Sequence, residues 1–389
     1  RQSAARLDIK KSTACRQWKF DESDLMRLLV SIAVFTCALH ASRGVADEAK
    51  DVAGFVVSVG DKAVEDDKIT GLSIGVAIGD EVLAAQGFGL ANVELNVPVT
   101  SDTVYRIGSI TKQFTAAAIL ILVEDGKIDL DAPLTKYLPD YPSHGSAVTV
   151  KHLLQHTSGV ADFTRLPEYR RDRPLDVSKD EVLDRFQNLP LKFPPGEKHR
   201  YCNSGYFLLG LIIEQASEKS FREFVESRLF EKLKMQHSYC DRSQTIIPHR
   251  AAGYTRWGGK LRNAPHISLG QTVGAGNISA TMTDLIVWQR GLFADRLLRT
   301  ETVRQMTTPG KLNDGKPFNY GFGVRVASLA NHKVVRHGGG ISGFRSDLAY
   351  YPDSRLTIVV LSNCEHANPK KISDRIARHM LNKTKRTNP

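Results

Sequence analysis

Ser109 and Lys112 stand one helical turn apart in Ser109-Ile110-Thr111-Lys112, where a short strand-like stretch gives way to a helical apolar run. Residues at i and i+3 on a helix are surface neighbours, so the Lys112 amine can reach the Ser109 hydroxyl. Serine needs an adjacent base to act as a nucleophile. Lysine serves as that base only when neutral, so its pKa, about 10.4 when free, must fall through burial or nearby positive charge. A helix N-terminus contributes, because its partial positive charge disfavours an ammonium and favours an oxyanion. Alone the pattern is unspecific, and other residues must supply the rest of the chemistry.

Two further clusters do so. Tyr201-Cys202-Asn203 follows a turn at Pro195-Gly196 and precedes the apolar run Gly205 to Ile213, so Asn203 or Ser204 is expected to cap a helix reaching about Ala216. The Tyr201 phenol can relay protons, and the Asn203 amide can hold both a lysine and a substrate amide. The plainer reading is a capping asparagine behind a packed tyrosine. His337-Gly338-Gly339-Gly340 is expected to form a loop opening at a strand end. Glycines there let a substrate backbone approach and leave a main-chain N–H for an oxyanion. The plainer reading is a flexible loop.

In the order Ser-x-x-Lys, Tyr-x-Asn, His-Gly-Gly, the chain resembles the serine β-lactamase and D,D-peptidase superfamily. More narrowly it is similar to the class C β-lactamase-related serine hydrolases, which include D-Ala-D-Ala carboxypeptidases, D-aminopeptidases and esterases. The resemblance runs from about Asp51 to about Asn382. It includes Leu153-Leu154-Gln155-His156-Thr157-Ser158-Gly159 and Gly276-Asn277-Ile278-Ser279-Ala280-Thr281. It implies Ser109 as the acylated nucleophile, Lys112 as its activator, and Tyr201 as relay to the leaving group and the deacylating water. Asn203 would orient Lys112 and the substrate amide, His337, Gly338 and Gly339 would bind substrate, and the N–H groups of Ser109 and Gly340 would form the oxyanion hole. No cofactor is implied. Two positions depart from the pattern. Gly338 stands where carboxypeptidases and β-lactamases carry threonine, which removes a hydrogen bond to a substrate carboxylate, roughly 1.5–3 kcal/mol. His337 stands where many relatives carry lysine, which removes a permanent cation. Both changes point away from penicillins or a C-terminal D-alanine as best substrate and leave acyl transfer intact.

The elements that must position these residues read as follows. A helix is expected near Ala49 to Glu65, then a hairpin, Leu72 to Ile78 and Glu81 to Phe88, turning at Gly79-Asp80. Val104 to Ile107 reads as the strand entering the Ser109 helix. Helical and loop signals then continue to about Ile267, and Thr281-Met282-Thr283-Asp284 reads as a capping box. Strands return from Tyr320 to Ser362, and a helix near Lys370 to Asn382 follows. The expected fold is α/β and β-lactamase-like over residues 47–389. One antiparallel sheet is built from both chain ends and flanked by helices, with an inserted all-α subdomain over about 110–275 and the site in the cleft between.

Composition bounds the function. The 389 residues are 41% apolar, enough for a large core. The net charge of +11 is spread along the chain without aromatic interleaving, which argues against a nucleic-acid partner and for a solvated basic surface. Expected partners are a small-molecule or short-peptide substrate and cell-wall peptidoglycan. Met26-Arg27, the apolar run Leu28 to Leu39 and Gly44-Val45-Ala46 read as a signal peptide over 26–46, too short for a stable membrane span, with residues 1–25 as upstream sequence. The expected location is periplasmic or secreted. Cys202, Cys240 and Cys364 show no metal-ligand spacing, and Cys202 reads as a packing residue. The expected function is a serine hydrolase forming an acyl-enzyme on a D-amino-acid peptide, β-lactam or ester. Its alternatives are a carboxylesterase of the same fold and a non-catalytic penicillin- or peptidoglycan-binding protein.

Overall fold

The computed structural model describes residues 49–387, so the signal-peptide and upstream readings of residues 1–46 lie outside the described residues. Helix α1 (residues 49–65) leads into the hairpin β1 (Gly71–Ile78) and β2 (Glu81–Asn92), with β3 (Val97–Pro98) beyond it. Helices α2 (Thr111–Glu124), α3 (Asn203–Ser217) and α4 (Met282–Phe293) follow. The chain then returns as β4 (Arg325–Leu329), β5 (His332–Ile341), β6 (Phe344–Tyr351) and β7 (Leu356–Ser362), and α5 (Pro369–Thr387) comes after them. These strands form one antiparallel sheet in the order β4-β5-β6-β7-β1-β2-β3. The two chain ends join where β1 pairs with β7, from Leu72 opposite Ser362 to Ile78 opposite Leu356.

The central strands are buried on both faces because helices cover both. Strand β7, Leu-Thr-Ile-Val-Val-Leu-Ser, is buried throughout, as its β-branched composition suits. On the face carrying Leu72, Phe88 lies against Gly60 of α1, and His379 of α5 stacks on Phe55 of α1 at 3.9 Å between ring centres. On the opposite face Gly75 admits Ile286 of α4. The expected cap of α4 is half formed. Thr281 Oγ1 accepts from the Asp284 N–H at 3.2 Å, but the Asp284 carboxylate accepts from the His237 N–H and Ser238 hydroxyl instead of returning to the cap.

Between the two sheet halves the chain is mainly helical and also carries short strands. Tyr105–Arg106 pairs with Ile278–Ala280, which pairs with Ser238–Cys240, so the strand entering the Ser109 helix belongs to this small sheet and not to the large one. Tyr254–Trp257 and Lys260–Asn263 form a separate hairpin. Helix α2 is buried from Thr111 to Leu122, as expected of a helix apolar all round. Its Phe114 stacks on Trp288 at 3.9 Å and meets Phe230 edge-on at 5.7 Å. Lys112 is therefore carried into the interior by its helix. Among the described residues, no helix is long and apolar enough to cross a membrane.

Candidate active site

Ser109 sits in a single 3-10 turn, Gly108–Ile110, that runs straight into α2. Gly108 has φ +53°, and a Cβ there would come 2.9 Å from the Gly340 nitrogen. Gly339 packs as tightly from the other side, since its Cβ would fall 2.0 Å from the Ile107 carbonyl oxygen. Ser346 Oγ donates to that same oxygen at 2.8 Å. Close backbone contact thus seats the Ser109 turn on β5 and β6.

Lys112 is fully buried, and its Nζ lies 3.3 Å from Ser109 Oγ, 2.9 Å from Asn203 Oδ1 and 2.7 Å from the Ala275 carbonyl oxygen. Burial lowers its pKa to about 7, against the opposing pull of Asp162. The two carbonyl-type oxygens can only accept. A neutral amine therefore spends both N–H bonds on them and leaves its lone pair for the Ser109 proton. Asn203 is the first residue of α3 and not its cap. Cys202 holds the cap position and makes no side-chain capping bond, while the Asn203 amide is directed to Lys112. Its orientation is set from behind: Asn203 Nδ2 donates to Thr164 Oγ1 at 2.9 Å, and Thr164 Oγ1 donates to Asp162 at 2.8 Å.

Tyr201 lies beside this cluster, with Lys112 Nζ 4.8 Å from its ring centre. Burial raises the phenol's pKa, while the neighbouring Ser109 hydroxyl pulls it the other way. The phenol is therefore protonated at neutral pH. Cys202 donates its thiol to the Val160 carbonyl at 3.4 Å, and burial pushes its pKa up to about 12, so it is a packing residue.

Ser109, Tyr201, Asn203, Gly108, Gly340 and Thr164 share the wall of a cavity of about 420 Å³. A larger hollow of about 730 Å³, lined by Tyr137, Tyr141, Lys179 and Glu214, lies elsewhere and includes none of Ser109, Tyr201 and Asn203. His337, Gly338 and Gly339 are not on the wall of the Ser109 cavity. The expected glycine loop is a strand: β5 continues to Ile341 because β6 supplies partners, Asp347 for Gly338, Ser346 for Gly339 and Arg345 for Gly340. Strand β4 pairs with β5 only as far as Arg336, so the glycines keep one edge free beside the Ser109 turn.

His337, expected to bind substrate, is turned into the interior. Its side chain is buried, and burial, reinforced by Lys112, lowers its pKa to about 3. The ring is held by a chain of hydrogen bonds with one consistent direction. The Cys202 N–H donates to His156 Nδ1 at 3.2 Å, so neutral His156 carries its proton on Nε2. That nitrogen lies 3.1 Å from the Tyr320 hydroxyl, which lies 3.0 Å from His337 Nε2. His337 Nδ1 lies 2.7 Å from the Gly338 carbonyl oxygen and must donate to it. The Tyr320 hydroxyl therefore accepts from His156 and donates to His337. The chain links the Tyr201 loop to the glycine strand from inside.

The Beta-lactamase family model matches residues 57–382. The chain belongs to the beta-lactamase family. Within it, the chain is 30% identical over 302 residues to a D-aminopeptidase of Gluconobacter oxydans, covering 75% of this chain and 55% of that protein. It is 30% identical over 304 residues to a penicillin-binding protein of Bacillus subtilis, covering 74% of this chain and 67% of the relative. The chain thus spans about half the length of the D-aminopeptidase. Its structure is similar to the octameric penicillin-binding protein homologue from Pyrococcus abyssi, with a TM-score of 0.73 and 28% identity, covering 86% of this chain and 78% of that one.

This beta-lactamase-family site contains residues that motif reading passes over. Asp162 and Thr164 orient Asn203, and their spacing carries only the signature of a local turn: the Asp162 carboxylate accepts from the Thr164 N–H at 3.1 Å. His156 lies in a phrase read above only as a family resemblance, and Tyr320 carries no motif at all. The directed chain makes a spectroscopic prediction. Nitrogen-15 spectra of histidine-labelled protein should show His337 with its proton on Nδ1 and His156 with its proton on Nε2, both neutral from pH 5 to pH 9. The burial-lowered pKa values of both rings set that range. An imidazolium signal from either ring near pH 6 would contradict the chain.

Proposed function

We propose that the protein is a serine hydrolase that forms an acyl-enzyme at Ser109, on substrates built from D-amino-acid amides, esters or β-lactams. The observation that carries the reading is the buried Lys112 amine, its pKa lowered to about 7, held by two acceptors with its Nζ 3.3 Å from Ser109 Oγ. The likeness to a D-aminopeptidase and a penicillin-binding protein supports the substrate class.

In the proposed cycle Lys112 Nζ takes the Ser109 proton as Oγ bonds to the acyl carbon. The N–H groups of Ser109 and Gly340 stabilise the oxyanion, each such donor being typically worth about 3 kcal/mol. Collapse breaks the bond to the leaving group, which receives the proton from the Lys112 ammonium through Tyr201. Water then attacks the acyl-enzyme and gives its proton through Tyr201 to Lys112, the bond to Ser109 Oγ breaks, and Oγ takes that proton back from the Lys112 ammonium. A lysine whose pKa is lowered towards neutrality suits the role of base, and Tyr201, protonated at neutral pH, carries a proton by donating its own as it accepts another. His337, Gly338 and Gly339 serve this cycle by shaping the strand that presents Gly340.

The test is mass spectrometry after incubation with a fluorophosphonate and, separately, with benzylpenicillin. The expected result is one adduct on Ser109 with the first reagent, and failure to label Ser109 overturns the reading. An adduct with the second reports penicillin recognition. The pH dependence is a further check. Acylation needs neutral Lys112, so kcat/KM for an uncharged ester should rise tenfold per pH unit below about 7 and level off above it. A flat profile from pH 5 to pH 8 would remove Lys112 as the base.

A further inference from the structure

Resting on the acyl-enzyme reading above, we propose that Arg173 is a specificity residue that selects substrates carrying a carboxylate. The charged groups on the cavity wall are Arg173, Arg345 and Glu365. Arg345 and Glu365 face each other at 3.6 Å, and Arg345 also donates to the Ile341 and Phe344 carbonyls. Arg173 differs. Among the described residues no carboxylate pairs with its guanidinium, although two acidic residues lie within three positions of it. Asp172 turns to Arg171 at 2.7 Å and Arg185 at 3.7 Å, and Asp176 accepts from Ser243 and Ser268. The Arg173 backbone is held at both ends, its N–H donating to Tyr169 at 2.8 Å and its carbonyl accepting from Ser268 at 2.8 Å. The wall therefore carries a net positive charge, with one cation on a fixed backbone and no internal partner.

A guanidinium half-buried beside Tyr169 and Ile267 is a ready bidentate partner for a carboxylate. It supplies the anion contact that Gly338 and neutral, buried His337 do not. Arg173 lies on the wall contributed by the helical segment, whereas Gly340 and Arg345 lie on the sheet side. The sequence departures at 337 and 338 thus relocate the anion site and do not abolish it.

The test uses two matched pairs. One is a short D-amino-acyl peptide with a free C-terminal carboxylate and its C-terminal amide. The other is a p-nitrophenyl ester whose acyl chain ends in a carboxylate and the methyl ester of that carboxylate. In the wild type, the carboxylate member of at least one pair should have the higher kcat/KM. In Arg173→Gln its kcat/KM should fall about 10–150-fold relative to the neutral member, and Arg173→Lys should restore part of the difference. The selectivity should persist from pH 5 to pH 9, because arginine stays charged. Equal losses on both members, or a wild type that favours the neutral member of both pairs, overturns the proposal. Calorimetric binding of the peptide acid and amide to Ser109→Ala reads Arg173 without turnover. Should the fluorophosphonate fail to label Ser109, the acyl-enzyme reading fails, while this binding comparison still decides the role of Arg173.

Discussion

Ser109→Ala should stay folded yet form no adduct and turn over no ester, and Lys112→Ala should acylate about 10²–10⁴-fold more slowly than wild type. The size of the second effect follows from the contacts of Nζ. Among the described residues, Ser109 Oγ has one basic nitrogen at hydrogen-bonding distance, and Tyr201, the other candidate, holds its proton at neutral pH. Lys112→Arg should be no better than alanine, because a guanidinium stays charged and cannot accept the proton. Truncation also leaves Asn203 Oδ1 and the Ala275 carbonyl without a donor, each worth about 1–3 kcal/mol when buried. A denaturation curve must therefore accompany the kinetics. Stopped-flow release of p-nitrophenol reads acylation directly. A Lys112→Ala burst at the wild-type rate would show that the base lies elsewhere.

Arg336→Leu should destabilise the protein by about 3–5 kcal/mol, the usual result of removing one partner from a buried ion pair. Arg336 is 5% exposed and donates to Asp347 at 2.6 Å and to Asp374 of α5 at 2.6 Å. Asp374 also has Lys370, but Asp347 is buried and would lose its only salt bridge among the described residues. Burial already raises the Asp347 pKa, so the variant should take up a proton there and lose less stability at low pH than at neutral pH. The expected readout is a lower urea midpoint at an unchanged slope. Asp347→Leu added to Arg336→Leu should recover part of the loss. The site should suffer too, because Arg336 and Asp347 anchor the two strands that hold Gly339 and Ser346 against the Ser109 turn. Unchanged stability in Arg336→Leu would mean the pair is neutral in the fold.

What the sequence made legible was local. The β1–β2 hairpin, its Gly79-Asp80 turn, the Thr281 cap and the β-branched run of β7 each carry their own signal within a few residues. The Ser109–Lys112 proximity is likewise a property of helical spacing. What stayed hidden depends on partners distant in sequence. The glycines at 338–340 read as a loop because nothing near them announces Ser346 and Asp347 as strand partners. Asn203 looked like a cap because a cap needs only local backbone, whereas its real partner lies across the fold on α2. The burial of His337 was not legible because it depends on Tyr320 and His156, distant in sequence. Arg173 was invisible for the opposite reason, since its character lies in the carboxylates that turn away from it.

The join between the two chain ends has a consequence for biosynthesis. Strand β1 leaves the ribosome early and finds its β7 neighbour only when the last strands emerge, the kind of long-range pairing that forms slowly. Ser109 and Lys112 are made well before Gly340 and the β6 clamp on the Ser109 turn. A chain grown only that far therefore holds the Ser109 hydroxyl and the Lys112 amine without the Gly340 amide. The topology delays the meeting of the Ser109 turn with the Gly340 strand until β5 and β6 have both been made.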